Sequence, residues 1–264
     1  MINIDDAVKE ISTSLRTAQQ IEPFSKRGLK MSMEEAYDVA TQARSLYDDG
    51  VLVGRKIGFT NRGIWNIYGV DRPIWGDMRS SSVHFYDDGQ AELDLSRFCE
   101  PRIEPEVVIC LKDKLPASAN DTDIVRAIDW IAPGFEIVDS IYPNWSFSVS
   151  DAIATGSLHG CLLIGAKSKP TAQTATELLL LKVRLFNEGM LVEEGHGANV
   201  LDGPISAIRF LMAGIAAMAG QRPLAAGDII TTGTMTDAKP ISPGQNWRAE
   251  FSGILKGDLC LKIG

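Results

Sequence analysis

The chain has 264 residues, 45% of them hydrophobic and 23% charged, with a net charge of −8 and a pI near 5. There is enough apolar material for a sizeable core, and the acidic balance argues against a sequence-wide attraction to nucleic acid or anionic lipid. No apolar run reaches the 18 residues of a membrane-spanning helix, and MINIDDAVKEIS carries acids where a signal peptide would be basic and then apolar, so a cytoplasmic protein is expected. The four cysteines, Cys99, Cys110, Cys161 and Cys260, are scattered without a CxxC pair and read as small buried hydrophobes in a reducing compartment.

In chain order, the first fifty residues read as helical. Val8, Ile11 and Leu15 recur at helical spacing, and Ser32 with Glu35 forms a capping box ahead of Ala36, Val39, Ala40, Ala43 and Leu46, with Gly50 as the stop. Short strands are then expected at 51–57, 103–111, 134–140, 159–165, 180–187, 228–232, 247–252 and 257–263. Asn187-Glu188-Gly189 is a candidate hairpin turn, and helical patterns return at 121–131 and 203–219. Strand-rich stretches with few helices predict an α+β fold on a mixed or antiparallel sheet. The expected division is a helical N-terminal region, 1–50, and a β-rich unit, 51–264.

The strand RIEPEVVICL holds two acids in an apolar run. Glu104 and Glu106 are two residues apart, so their side chains share a face at a backbone spacing of roughly 6–7 Å. Two unpaired carboxylates on one buried patch would repel, and one would be forced to hold a proton. A hard divalent cation removes the conflict. Glu136, in the short apolar strand of IAPGFEIVDS, is a candidate third ligand. The alternative is that these acids line the solvent side of an edge strand.

In VLVGRKIGFT, Gly54, Lys56 and Gly58 fall on one face of a strand. Glycines beside the lysine point to a close approach by a ligand or another backbone, and a partly buried lysine there suits proton transfer; a surface lysine on an edge strand is the alternative. His84 reads as an exposed strand-edge residue. His159 enters an apolar strand in either a structural or a site role, and His196 sits between two glycines in loop-like sequence. TTGTMTD, after the strand GDIITTG, offers backbone and hydroxyl donors to a carboxylate or forms an ordinary polar turn. A dinucleotide fingerprint, a nucleophile elbow and a P-loop are not found.

GRKIGFT, EPRIEPEVVI, GFEIVDS and GDIITTG, in that order, resemble the fumarylacetoacetate hydrolase superfamily. The similarity is greatest to its 2-hydroxypenta-2,4-dienoate (2-keto-4-pentenoate) hydratases and 4-oxalocrotonate decarboxylases of aromatic-ring catabolism. The resemblance implies a mixed β-roll core, Mg²⁺ or Mn²⁺ held by Glu104, Glu106 and Glu136, and Lys56 at the site. It also implies a small-molecule 2-keto acid substrate and a homodimer or larger homo-oligomer. On the same resemblance His159 and Asp151 are further candidate catalytic residues, and Arg55, Thr60 and Thr234 candidate substrate contacts. The chain departs from the family pattern where SDAIATGSLHG stands in place of an ADNAS-like segment, and Asp77 matches a second family acid only with a gap. Hydration is the leading reaction. Decarboxylation of a vinylogous keto diacid, C–C hydrolysis of an acylpyruvate, and non-catalytic keto-acid binding are the alternatives.

Overall fold

Local chemistry sets the first helices. In α1 (Ile4–Thr17) the Asn3 side chain accepts from the Asp6 N–H, and Ala7, Val8 and Ile11 face inward; α2 (Met33–Ser45) is opened by the expected reciprocal Ser32–Glu35 capping box. There follow β1 Leu52–Gly58, α3 Trp65–Tyr68, β2 Ile74–Arg79, β3 Val83–Phe85, β4 Gln90–Leu93, β5 Arg102–Leu111, α4 Asp121–Ala127, β6 Ile128–Val138, α5 Val149–Ala154 and β7 His159–Ile164. The chain ends with α6 Thr174–Leu179, β8 Lys182–Asn187, β9 Met190–His196, α7 Pro204–Ala216, β10 Ile229–Thr234, β11 Lys239–Pro240, β12 Asn246–Phe251 and β13 Asp258–Ile263. This is a computed structural model describing residues 3–48, 50–255 and 257–264.

Two mixed sheets form the body, as an α+β fold requires. The larger runs β2-β1-β10-β5-β6-β7-β3, with β11 added to β5; the smaller runs β4-β13-β12-β8-β9. β1 pairs parallel to β10, β3 to β7 and β4 to β13, and the other pairs are antiparallel. The β8–β9 hairpin turns through Glu188 and Gly189, both at positive φ (49° and 77°), the geometry a two-residue hairpin loop favours.

Every strand expected from the sequence is present, and β2, β3, β4, β9 and β11 join them. The helix expected over 121–131 stops at Ala127, where β6 begins. The reason is tertiary: Trp130 and Ile131 pair with Cys110 and Ile109 of β5, and that ladder overrides a helical pattern.

The period of two along the central strands sorts their side chains onto two faces. Ile103, Val107 and Ile109 of β5 and Ile131, Phe135 and Ile137 of β6 enter the main core, which is continuous with Ala7 and Ile11 of α1 and Leu259 of β13. The N-terminal helices and both sheets therefore share one core. The opposite face carries a smaller cluster that includes Met78, Val108, Trp130, Ala132, Leu162 and Ile229. It is this second face that continues into the carboxylates.

Candidate metal centre and its cleft

Glu104 stands directly opposite Glu136 in the β5–β6 ladder, and Glu106 opposite Gly134. The pairing places all three glutamates on one face. One carboxylate oxygen from each lies within 4.8 Å of the others. On the next strands Lys56 is paired with Thr231, and both point into the same group. Lys56 Nζ is 3.3 Å from Glu136 Oε2, and the Thr231 hydroxyl donates to the same oxygen at 3.5 Å.

Glu106 and Glu136 are fully buried, and Lys56 is 3% exposed. Burial pushes the Glu104 carboxyl up to about 7 against the pull of Lys56, and burial with the neighbouring Glu136 and Glu104 charges pushes Glu106 well above the carboxylate range. Burial would raise Glu136 too, but Lys56 and His159 hold it below its ordinary value. Burial works against the Lys56 ammonium, and the three glutamates outweigh it and raise its pKa.

Glu106 Oε2 accepts the Gly233 N–H at 2.7 Å, while its Oε1 is buried with no hydrogen-bond partner among the described residues. That donor requires a particular backbone. Gly233 has φ +104°, and a Cβ there would stand 2.1 Å from Thr60 Oγ1.

If all three carboxylates ionised, one buried ammonium would leave two negative charges in excess, and one buried oxygen lacks a donor. An all-oxygen set of this kind fits a divalent hard cation. Glu104, Glu106 and Glu136 would hold it.

Glu104 and Lys56 line a cleft of about 460 Å³ whose walls include Phe59, Tyr68, Trp145 and Phe147. Thr60, Asn61, Ser157, Thr234 and Thr236 supply hydroxyl and amide groups to it. Arg102 also lines it, with its guanidinium 4.1 Å above the Trp145 ring.

The structure therefore brings Glu104, Glu106, Glu136, Lys56, Thr60 and Thr234 together. Three other expected residues lie elsewhere. Arg55 projects from the opposite face of β1, pairing with Asp77 at 3.0 Å beside Trp75, because neighbours on a strand alternate. Asp151 is buried in the capping box of α5 and bonds Ser148 and Ser25, so its carboxylate is occupied by structural donors. His159 is wholly buried behind Glu136 and does not line the cleft. It reaches the centre only through that carboxylate, with Nδ1 2.8 Å from Glu136 Oε1. His196, at the end of β9, is exposed on the smaller sheet.

Sequence reading missed Ser82, Arg102, Trp145 and Phe147. Only Arg102 had a usable signal, since it shares the period-two face of Glu104 and Glu106.

The fold defines the class. The chain superposes along all of its length on 99% of a 4-oxalocrotonate decarboxylase from Pseudomonas putida G7, complexed with magnesium and adipate, with TM-score 0.90 and 25% identity. It also matches, over 79% of this chain and 88% of the other, fumarylpyruvate hydrolase from Pseudomonas aeruginosa in complex with Mn²⁺ and pyruvate, with TM-score 0.57 and 13% identity, a likeness of fold alone. No family model matches the chain.

Among curated relatives, a 4-oxalocrotonate decarboxylase of Pseudomonas sp. is 34% identical over 202 residues, 76% of this chain and 75% of that one. A 2-hydroxyhexa-2,4-dienoate hydratase of Comamonas testosteroni is 26% identical over 255 residues, 95% and 94% of the two chains. The chain belongs to the 2-keto-4-pentenoate hydratase and 4-oxalocrotonate decarboxylase family of the fumarylacetoacetate hydrolase superfamily. It is an enzyme of the lyase class acting on a small keto acid.

Proposed function

We propose that the enzyme is a divalent-metal-dependent hydratase, adding water to a 2-hydroxydienoate or 2-keto-alkenoate in aromatic-compound catabolism. The observation that carries this reading is the Glu104–Glu106–Glu136 cluster with Lys56 beside it, of which Glu104 and Lys56 line a cleft walled by aromatic rings. Mg²⁺ or Mn²⁺ held by Glu104, Glu106 and Glu136 would supply Lewis-acid stabilisation of the negative charge that develops on the 2-keto acid.

The chain's own residues do the rest. The Lys56 ammonium donates a proton to the terminal carbon of the dienol and its amine takes up the proton that the enol hydroxyl loses, which moves the remaining double bond into conjugation with the new ketone. Water then adds to the far carbon of that bond, and a proton goes to the near one. Phe59, Tyr68, Trp145 and Phe147 hold the flat substrate, and the hydroxyls of Thr60, Thr234 and Thr236 orient its polar groups and the water.

Decarboxylation of a 2-keto diacid is the second reading. It is favoured by Arg102, a cleft cation that makes no ion pair among the described residues and shares a strand face with Glu104. A product assay separates the two: metal-stripped protein is given 2-hydroxypenta-2,4-dienoate or 4-oxalocrotonate, with and without Mg²⁺. Metal-dependent gain of water by the first supports hydration, and loss of CO₂ from the second supports decarboxylation. Turnover of neither rejects both.

Residues 51–264 carry every group assigned to the site, and we read 1–50 as a supporting helical region. A cytoplasmic homodimer or larger assembly is the expected state. The support is the exposed apolar Met190, Leu191 and Val192 on β9, an edge strand, and the absence of a helix long and apolar enough to cross a membrane among the described residues. Light scattering of the purified protein checks the oligomer.

A further inference from the structure

We propose that Ser82 is a positioning residue of this centre. By donating its hydroxyl hydrogen to His159 Nε2, it holds the imidazole in the tautomer whose Nδ1–H anchors Glu136. The inference rests on the reading that Glu136 helps to hold a cation.

Three elements bring the groups into line. β6 carries Glu136, and β7, whose first residue is His159, pairs with it. β3 pairs parallel to β7, Val83 opposite Leu162, which delivers Ser82 from the turn just before β3. Ser82 Oγ lies 3.0 Å from His159 Nε2, and His159 Nδ1 lies 2.8 Å from Glu136 Oε1. All three residues are more than nine-tenths buried, so water does not compete for these bonds.

The roles follow from what each atom can do. An ionised carboxylate only accepts, so Nδ1 must carry the hydrogen. In the neutral ring Nε2 is then an acceptor, and the Ser82 hydroxyl is its hydrogen-bond partner. The hydroxyl has an alternative acceptor, the Arg79 carbonyl at 3.1 Å, so it is the ring nitrogen that depends on the serine.

Lys56 and Thr231 both face Glu136 Oε2, and His159 is the donor to Oε1. A ring fixed at both nitrogens fixes the plane of the carboxylate. Partners behind a metal ligand act in this way, and losing one typically weakens metal affinity about 10–100-fold. Removing the Ser82 hydroxyl would leave a buried acceptor without a donor and free the ring to rotate or change tautomer.

The test compares wild type with Ser82→Ala, both stripped by chelation. Nitrogen-15 NMR reads the His159 tautomer, titration calorimetry reads Mn²⁺ and Mg²⁺ affinity, and thermal unfolding controls for folding. The expected result is a single Nδ1–H tautomer in wild type, and in the variant a mixture of tautomers with cation affinity about 10-fold or more weaker. Unchanged affinity in a folded variant, or an Nε2–H tautomer in wild type, overturns the assignment. If Ser82→Ala does not fold, the wild-type tautomer decides. If wild type binds no cation, the metal reading fails instead, and the tautomers of the two proteins still decide what Ser82 does.

Discussion

Glu106 shows what burial does to a single side chain. Its carboxylate has one strong donor, Gly233 N–H, and one oxygen with none, so it is unstable as an anion until a cation arrives. Glu106→Gln keeps the volume and removes the charge. We expect it to abolish Mg²⁺ and Mn²⁺ binding by calorimetry while leaving the melting temperature of the metal-free protein unchanged or raised. Retained binding would remove Glu106 from the ligand set. Lys56 is the counterpart, a buried ammonium 3.3 Å from Glu136. Lys56→Ala is expected to lower kcat by ~10²–10⁴, the range for a lost proton-transfer group. Steady-state kinetics at saturating metal checks this, and an unchanged kcat would leave Lys56 as a charge-balancing group only.

At the scale of elements, register decides the site. Glu104 faces Glu136 because β5 and β6 pair as they do, and a slip of one residue would move one partner to the opposite face. The turn at Gly233 is equally constrained, since it must carry its N–H to Glu106 while passing Thr60. Gly233→Ala adds a clash and a strained φ, and is expected to cost about 1–3 kcal/mol, read by denaturant unfolding, with weaker metal binding alongside. Native stability in that variant would show that the turn can relax. The strand of Glu104 and Glu106 was legible from the sequence because a period of two survives any partner. The end of α4 was not, because Ile128–Ile131 take strand geometry only by pairing with β5.

At the scale of the whole molecule, stability should depend on pH through the acidic cluster. Glu104, pushed up to about 7, and Glu106, pushed well above its ordinary value, hold protons in the folded metal-free protein that the unfolded chain releases above pH ~4.5. The folded state therefore binds more protons, and metal-free stability falls as pH rises from about 5 through 7 and beyond. Glu136 has the opposite sign: its lowered pKa contributes stability that is lost only in more acidic solution. Cation binding needs the ionised forms, so Mg²⁺ should raise the melting temperature more at pH 8 than at pH 5.5. Thermal melts with Mg²⁺ and with chelator at both pH values test this, and an equal Mg²⁺ effect at the two would refute it.

The sequence by itself determined the strand character of β5, the shared face of Glu104 and Glu106, the capping of α2 and the family motifs, because each depends on neighbours a few residues apart. Only the tertiary structure decided that Glu136 stands opposite Glu104, that Arg55 turns to Asp77, that Asp151 also takes Ser25 as a donor and that His159 sits behind a carboxylate with Ser82. Those relations join residues between 22 and 126 positions apart. They are fixed by strand pairing and burial, which period and composition do not encode.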